Sequence, residues 1–240
     1  LLGRRLYVEQ GTPEQIPFAD NYVDLLVLSD VREADLSEAL RAEIMRVLTP
    51  IRGRAVLADT TIKKPELPGS DWWPHKLHGP NNNAVSKDTV FQFPPIVQYR
   101  ALPMTSAGFG ASLSGNGINY EFNPWTYRND SRLNLCGRLI ARNTYNGRIL
   151  WEAMIPPKME PNLSVVGLTD NELLMASGER GRVIRLDPLT GKELPPIDIG
   201  DESVIIRWLE PYSGVLYMLL GKPAELKEPF HWYLSLPRSQ

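Results

Sequence analysis

The stretches "LIARNTYNGRIL" (139–150) and "VIRLDPLTGKEL" (183–194) are two copies of one pattern, offset by 44 residues, and their reading decides the fold. In each, a short apolar strand meets a turn closed by glycine, and a second strand leaves. Asn143 matches Asp187, and Gly147 matches Gly191. Glycine suits a backbone position with positive φ, and a leading Asn or Asp can bond its own following backbone. A second register agrees: "NELLMASG" (171–178) and "GVLYMLLG" (214–221) are glycine-closed segments 43 residues apart. A period of about 40–45 residues, with turn signals every ~8–12, predicts propeller blades rather than a helical repeat.

Working outward, residues 110–154, 163–197 and 203–221 give two blades and part of a third within a segment running from 104 to 240. A closed propeller needs about four to eight blades, and unfinished sheets expose strand edges. The missing blades are therefore expected in cis or from a protein partner. Upstream, residues 60–103 form a Pro-rich lead-in punctuated by Pro65, Pro68, Pro74, Pro80, Pro94, Pro95 and Pro103. Its Trp72, Trp73, Phe91 and Phe93 predict extended segments pinned to a surface by their rings. His75 and His78 invite a metal reading with Asp71, Asp88 or the distant His231. Pro74 and Gly79-Pro80 leave no helix to align the pair, so they are read as surface or capping histidines.

Residues 1–59 have a different, α/β texture. Arg5–Val8 and Tyr22–Leu28 are strand candidates, the second continuous enough to be covered on both faces. Ile16-Pro17-Phe18 reads as a small hydrophobic plug in the loop between them. Asp35 and Glu38 have the spacing of a helix cap and its N3 partner. Leu36, Leu40, Ile44, Val47 and Leu48 then fall on one helical face. Pro50 ends that helix, and Arg54–Ala58 returns as a strand. Strand, helix, strand is half of a doubly wound sheet.

The composition sets outer limits. The 240 residues carry 26 basic and 28 acidic side chains, a formal net charge of −2, which offers no basic footprint for nucleic acid. No apolar run reaches the ~20 residues of a membrane helix. Twenty-one prolines argue against a mostly helical chain. The single cysteine, Cys136, makes no internal disulfide and no multi-thiolate cluster. The chain opens on Leu1 without a signal-like pattern and reads as a piece of a longer protein.

Two resemblances refine this picture. The run from Leu139 to Trp151 resembles the L-x-A-L-D-x-x-T-G-x-x-L-W blade of PQQ-like, or BamB-like, quinoprotein propellers. Ile184–Leu194 keeps the D-x-x-T-G core without the tryptophan. "DWWPHKLHGPNNNAVSKD" (71–88) is similar to the lead-in before that family's first blade, and a partial methyltransferase followed by this lead-in resembles large propeller proteins of planctomycete-type bacteria. The resemblance implies that Trp151 docks between adjacent blades; Tyr145, Trp125 and Trp208 are read as packing residues too. It also implies export to the periplasm or cell surface. "GTPEQIPFADNYVDLLVLSD" with "LRAEIMRVLTPIRGRAVL" resembles the second half of a class I S-adenosylmethionine methyltransferase. That family's Gly-rich first loop would fall before residue 1, so the resemblance implies that the cofactor-binding half is missing here, and two further departures stand out. Thr12 falls where that family has an acidic residue, and Ile51-Arg52 replaces a Gly-Gly ending.

No catalytic constellation follows. Quinone-dependent dehydrogenases add calcium, a channel carboxylate and often neighbouring cysteines, which Cys136 alone cannot supply. No D-x-D-x-D-G loop occurs. Asp170, Asp187, Asp201 and Glu202 read as turn residues. Ser112, Ser114 and Ser177 lack a nucleophile elbow, and Gly108-Phe109-Gly110 is too short a pattern for phosphate. The expected fold is mainly β, an incomplete propeller of PQQ-like blades behind a short Rossmann-like methyltransferase remnant. The expected function is a non-catalytic binding or scaffold module for protein or carbohydrate. The alternative is a fragment of a PQQ-dependent oxidoreductase or of a methyltransferase. Neither PQQ nor S-adenosylmethionine is expected to bind this chain by itself, and no metal site is expected.

Overall fold

A computed structural model describes Leu6, Val8 and residues 10–95, 97–101, 111–123, 138–155, 166–177 and 181–222. At the front, strand β1 (Leu25–Leu28), helix α1 (Glu38–Val47) and strand β2 (Arg54–Leu57) form a crossover unit with β1 and β2 parallel. Strand β3 (Thr61–Lys63) adds antiparallel to β2. Leu40, Ile44 and Leu48 bury against Ala55, as the helical periodicity requires. The helix starts later than Asp35, which lies in a single 3-10 turn; Ser37 is the cap, its Oγ accepting the Leu40 N–H at 3.1 Å. A hydroxyl directly before the first helical residue satisfies that orphan donor, and Asp35 is two residues too early to do so.

The other face of this sheet corrects the expectation of a doubly covered strand. Leu25 and Val27 are each 59% exposed. One helix covers one face, and no described residue covers the second. Phe18 is also mostly exposed, and among the described residues its ring stacks on Tyr22 alone, so the loop before β1 is not held by a plug. Arg46 holds it instead, donating to the Ile16 and Phe18 carbonyls and pairing with Asp20 and Glu43. Its guanidinium holds the Glu43 carboxyl down at about 2. Of the Arg5–Val8 candidate, Arg5 and Tyr7 lie outside the described residues.

After the helix, Ile51 sits at φ 65°. This is the left-handed region, costly for a β-branched side chain and free for glycine. Ile51→Gly is expected to raise stability by about 0.5–1 kcal/mol, because relief of strain outweighs the loss of a half-buried side chain. Comparing urea midpoints of the two chains checks this; a lower midpoint for the variant contradicts it.

Among the described residues three antiparallel sheets follow. The first is a meander of β4 (Ala111–Gly115), β5 (Ile118–Asn123), β6 (Arg138–Asn143) and β7 (Ile149–Met154). The second has the same order: β8 (Val166–Leu168), β9 (Leu173–Ala176), β10 (Arg182–Leu186) and β11 (Glu193–Asp198). The third is a hairpin, β12 (Ile205–Tyr212) with β13 (Val215–Gly221). The two quoted turns carry the same bonds. Gly147 N–H donates to Asn143 O at 2.9 Å and Gly191 N–H to Asp187 O at 2.8 Å, with φ of 70° and 71° at the glycines. Asn143 Oδ1 and Asp187 Oδ1 each accept the N–H two residues on.

Strand β9 shows how the sheets stack. Leu173 and Met175 join the core shared with the first sheet, around Tyr120, Phe122 and Leu139. Leu174 and Ala176 point the other way, into a core with Ile206 and Leu209 of the third sheet. Alternation with a period of two thus buries both faces of the middle sheet. The first strands β4, β8 and β12 lie side by side. Meanders stacked in this manner about their first strands are consistent with an incomplete propeller.

One aromatic contact locks the first sheet to the second. Trp151 lies against Gly191, where a Cβ would come within 2.5 Å of the indole ring, and its Nε1–H donates to Pro188 O at 3.0 Å. The same contact recurs in front of the first sheet. Tyr99 of the lead-in lies against Gly147, and its hydroxyl donates to Thr144 O at 2.9 Å. Thr144 and Pro188 are matching positions of the two copies. Tyr99 therefore does for the first sheet what Trp151 does for the second.

Candidate functional site

The lead-in reaches the sheets as a strap that crosses one first strand per residue. Trp73 exchanges two bonds with Ser114 of β4: its carbonyl accepts Ser114 N–H at 2.8 Å, and its N–H donates to Ser114 Oγ at 2.9 Å. The Pro74 carbonyl accepts Leu168 N–H of β8 at 3.0 Å. His75 then reaches β12, with Nε2 3.2 Å from Leu209 O and 2.7 Å from Glu210 Oε2. Proline at the middle position suits this path, since it carries no N–H to leave unpaired.

His75 and Glu210 are both buried, at 2% and 4% exposure. This corrects the reading of His75 as a surface or capping residue. Burial pushes the Glu210 carboxyl up to about 7, and burial lowers the His75 imidazole from its ordinary value despite the Leu209 carbonyl beside it. An excluded-water site disfavours charge on either group. Among the described residues His75 Nδ1 has no hydrogen-bond partner, and Glu210 Oε2, although close to the ring, is not well aligned for a bond to it. His78 belongs to a different pair, with Nε2 2.7 Å from Asp71 Oδ2. Asp71 is pulled below the usual carboxylate range in spite of desolvation, by the Lys87 N–H, His78 and Ser86. The two histidines therefore do not converge. Among the described residues no group of three or more His, Cys, Asp or Glu side chains is placed to hold a metal.

Beside the strap lies a groove of about 790 Å³, where the first hairpin turns of the three sheets meet. Trp72, Asn116, Asp170, Asn171, Tyr212 and Ser213 line it. Asn116-Gly117 and Ser213-Gly214 take positive φ at both central positions (52° and 73°, 50° and 76°), the pattern of tight two-residue hairpin turns. The third turn is pinned by Thr169, whose Oγ1 accepts the Glu172 N–H at 3.0 Å. Arg185 on the groove wall is engaged by Glu172, with Nε to Oε2 at 3.0 Å, and by the Pro195 carbonyl. The first sheet repeats this tie, Arg142 Nε donating to Glu121 Oε2 at 3.0 Å.

A second polar cluster joins the front unit to the first sheet. Asp24 Oδ1 accepts the side-chain amides of Asn143 at 2.6 Å and Asn146 at 3.0 Å, and Oδ2 lies 2.7 Å from Arg148 Nε. The turn of the first repeat is thus a docking point as well as a chain reversal. Asp24→Ala removes the acceptor of all three and is expected to cost about 2 kcal/mol. Hydrogen exchange should quicken in residues 21–28 and 143–148, with the second sheet unaffected; an unchanged pattern contradicts the assignment.

Asp187 and Asp201 are turn residues, Asp201 Oδ1 accepting the Ser203 N–H at 2.8 Å. Asp170 stands instead in the groove wall. Thr12 is exposed, and Ser114 serves the strap. Trp73 is half-buried, whereas Phe93 is 85% exposed and meets Phe91 edge-on, so that pair is not pinned to a surface. Trp208 is half-buried with its ring edge-on to His75, and Tyr145 is half-buried with burial pushing its hydroxyl up to about 12. Cys136, Trp125, His231 and Gly108-Phe109-Gly110 lie outside the described residues. Sequence reading missed Glu210, Asp24 and Tyr99. No described helix is long and apolar enough to cross a membrane.

No protein-family model matches the chain, and no curated protein matches it. Solved structures overlap it in part. A quinohemoprotein alcohol dehydrogenase from Pseudomonas putida is 15% identical over 46% of this chain and 16% of its own, with a TM-score of 0.33. One from Comamonas testosteroni is 20% identical over 46% of this chain and 17% of its own, also at 0.33. BamB from Moraxella catarrhalis is 16% identical over 47% of this chain and 40% of its own, at 0.26. The chain therefore spans about a sixth of the length of those dehydrogenases. Overlaps this partial say nothing of activity.

Proposed function

We propose that the chain is a non-catalytic binding or scaffold module of the PQQ-like propeller type, belonging to an exported protein and joined by further blades. The observation that carries this reading is the convergence of three first-hairpin turns around one groove. The ionisable groups nearby serve structure: Arg185 with Glu172, Arg142 with Glu121, Asp187 in its turn, and His75 with Glu210 under the strap. A carboxyl at about 7 beside an imidazole has the proton affinity of an acid–base pair, but a catalytic pair must reach substrate. At 4% exposure Glu210 is walled off.

Calorimetric titration of the chain with pyrroloquinoline quinone and with S-adenosylmethionine tests the reading. No heat of binding is expected from either. Micromolar affinity for the quinone would make the chain part of an oxidoreductase, and for S-adenosylmethionine part of a methyltransferase; either result overturns the module.

A further inference from the structure

Resting on the binding-module reading, we propose that the groove beside the strap holds a neutral oligosaccharide. A sugar presents flat C–H faces and a hydroxyl edge. It is recognised by exposed aromatic rings together with planar amide and carboxyl groups that donate and accept side by side. The groove supplies both. Trp72 stands at its strap end with the indole N–H held by Glu66, and Tyr212, 54% exposed, comes from the third sheet. Asn116, Asp170, Asn171 and Ser213 complete the polar lining and make no side-chain hydrogen bond to another described residue. Their positions on tight turns fix their backbone, so binding orders little of the protein.

Charge narrows the class further. Among the described residues the groove's one cation is Arg185, which is taken by Glu172, and Asp170 leaves the wall mildly acidic. Phosphorylated, sulfated or uronate ligands are disfavoured there, and a neutral polyhydroxyl chain is not. At about 790 Å³ the groove lies within the ~300–1,000 Å³ usual for ligand clefts, room for a few linked rings rather than one.

The test uses amide chemical shifts of the whole chain, titrated with pentamers of β-1,4-glucose, β-1,4-N-acetylglucosamine and α-1,4-glucose. At least one should bind with millimolar or better affinity and move the amides of 115–117, 169–172 and 212–214. The double variant Asp170→Ala, Asn171→Ala should weaken it at least tenfold, as should Tyr212→Ala, with unfolding midpoints unchanged. If no pentamer moves those amides, the saccharide assignment falls. Should a neutral Gly-Ser-rich peptide move them instead, the groove is a peptide site, and the binding module survives without its sugar. Binding that leaves all three turns unmoved, or that survives both variants, also overturns the proposal.

Discussion

Trp151→Ala is expected to destabilise the chain by about 3–5 kcal/mol. The indole is 9% exposed, sits in the core shared by the first two sheets, and packs beside Tyr120 at 5.8 Å between ring centroids. Its removal opens a cavity at the contact that couples two repeats, and it takes away one of two donors on the Pro188 carbonyl, leaving the Tyr120 hydroxyl. Trp151→Phe keeps most of the ring and loses the N–H, so about 1–2 kcal/mol is expected. Gly191→Ala should resemble the larger loss, since its Cβ would enter the indole ring at a φ that alanine resists. Urea unfolding followed by near-ultraviolet dichroism measures all three. Equal, small effects would mean that the tryptophan is not a lock between sheets.

The second large effect is a stability that falls as pH rises, traced to Glu210. In the fold its carboxyl keeps a proton up to about pH 7, whereas in the unfolded chain it releases it near the ordinary 4.5. Between those values the unfolded state binds fewer protons, so stability declines from about pH 4.5 through 7 and levels off above. The integrated loss is at most about 3 kcal/mol. His75 works in the opposite sense. The fold keeps it neutral below its ordinary 6.5, so stability also falls as pH drops beneath that value. Below 6.5 the two slopes partly cancel, so the net decline is clearest between about pH 6.5 and 7, where only Glu210 titrates. Glu210→Gln removes the first slope, and melting temperatures between pH 5 and 8 should then lose most of their decline. A wild-type chain whose melting temperature climbs steadily over that range would contradict the burial argument.

How much could be read in advance depended on the range of each interaction. The repeat was legible because its cause is local: Asn143 and Asp187 bond residues two ahead, and Gly147 and Gly191 take up a φ that favours glycine. The helical face of Leu40, Ile44 and Leu48 was legible for the same reason. What escaped depends on distant partners. Glu210 looks like any acidic residue near the end of a strand until His75 arrives from the strap to meet it. Phe91 and Phe93 carry the same aromatic signal as Trp73, yet only Trp73 finds a strand beneath it. Tyr99 copies Trp151 in space without copying its spacing in sequence. The one available signal was a large aromatic upstream of the first turn. Asp24 gave no hint, because its partners are side chains of a turn explained by its own backbone bonds.

The ring currents at two glycines probe the stacked arrangement of the repeats most directly. In a proton spectrum of the folded chain, the Gly191 Hα signals should be displaced by Trp151, and those of Gly147 by Tyr99. Trp151→Ala should return the first set toward unstructured values and leave the second in place. Glycine signals that sit at unstructured values in the folded wild type, or Gly191 signals that ignore the Trp151→Ala replacement, would mean that the sheets are not locked to one another through these turns.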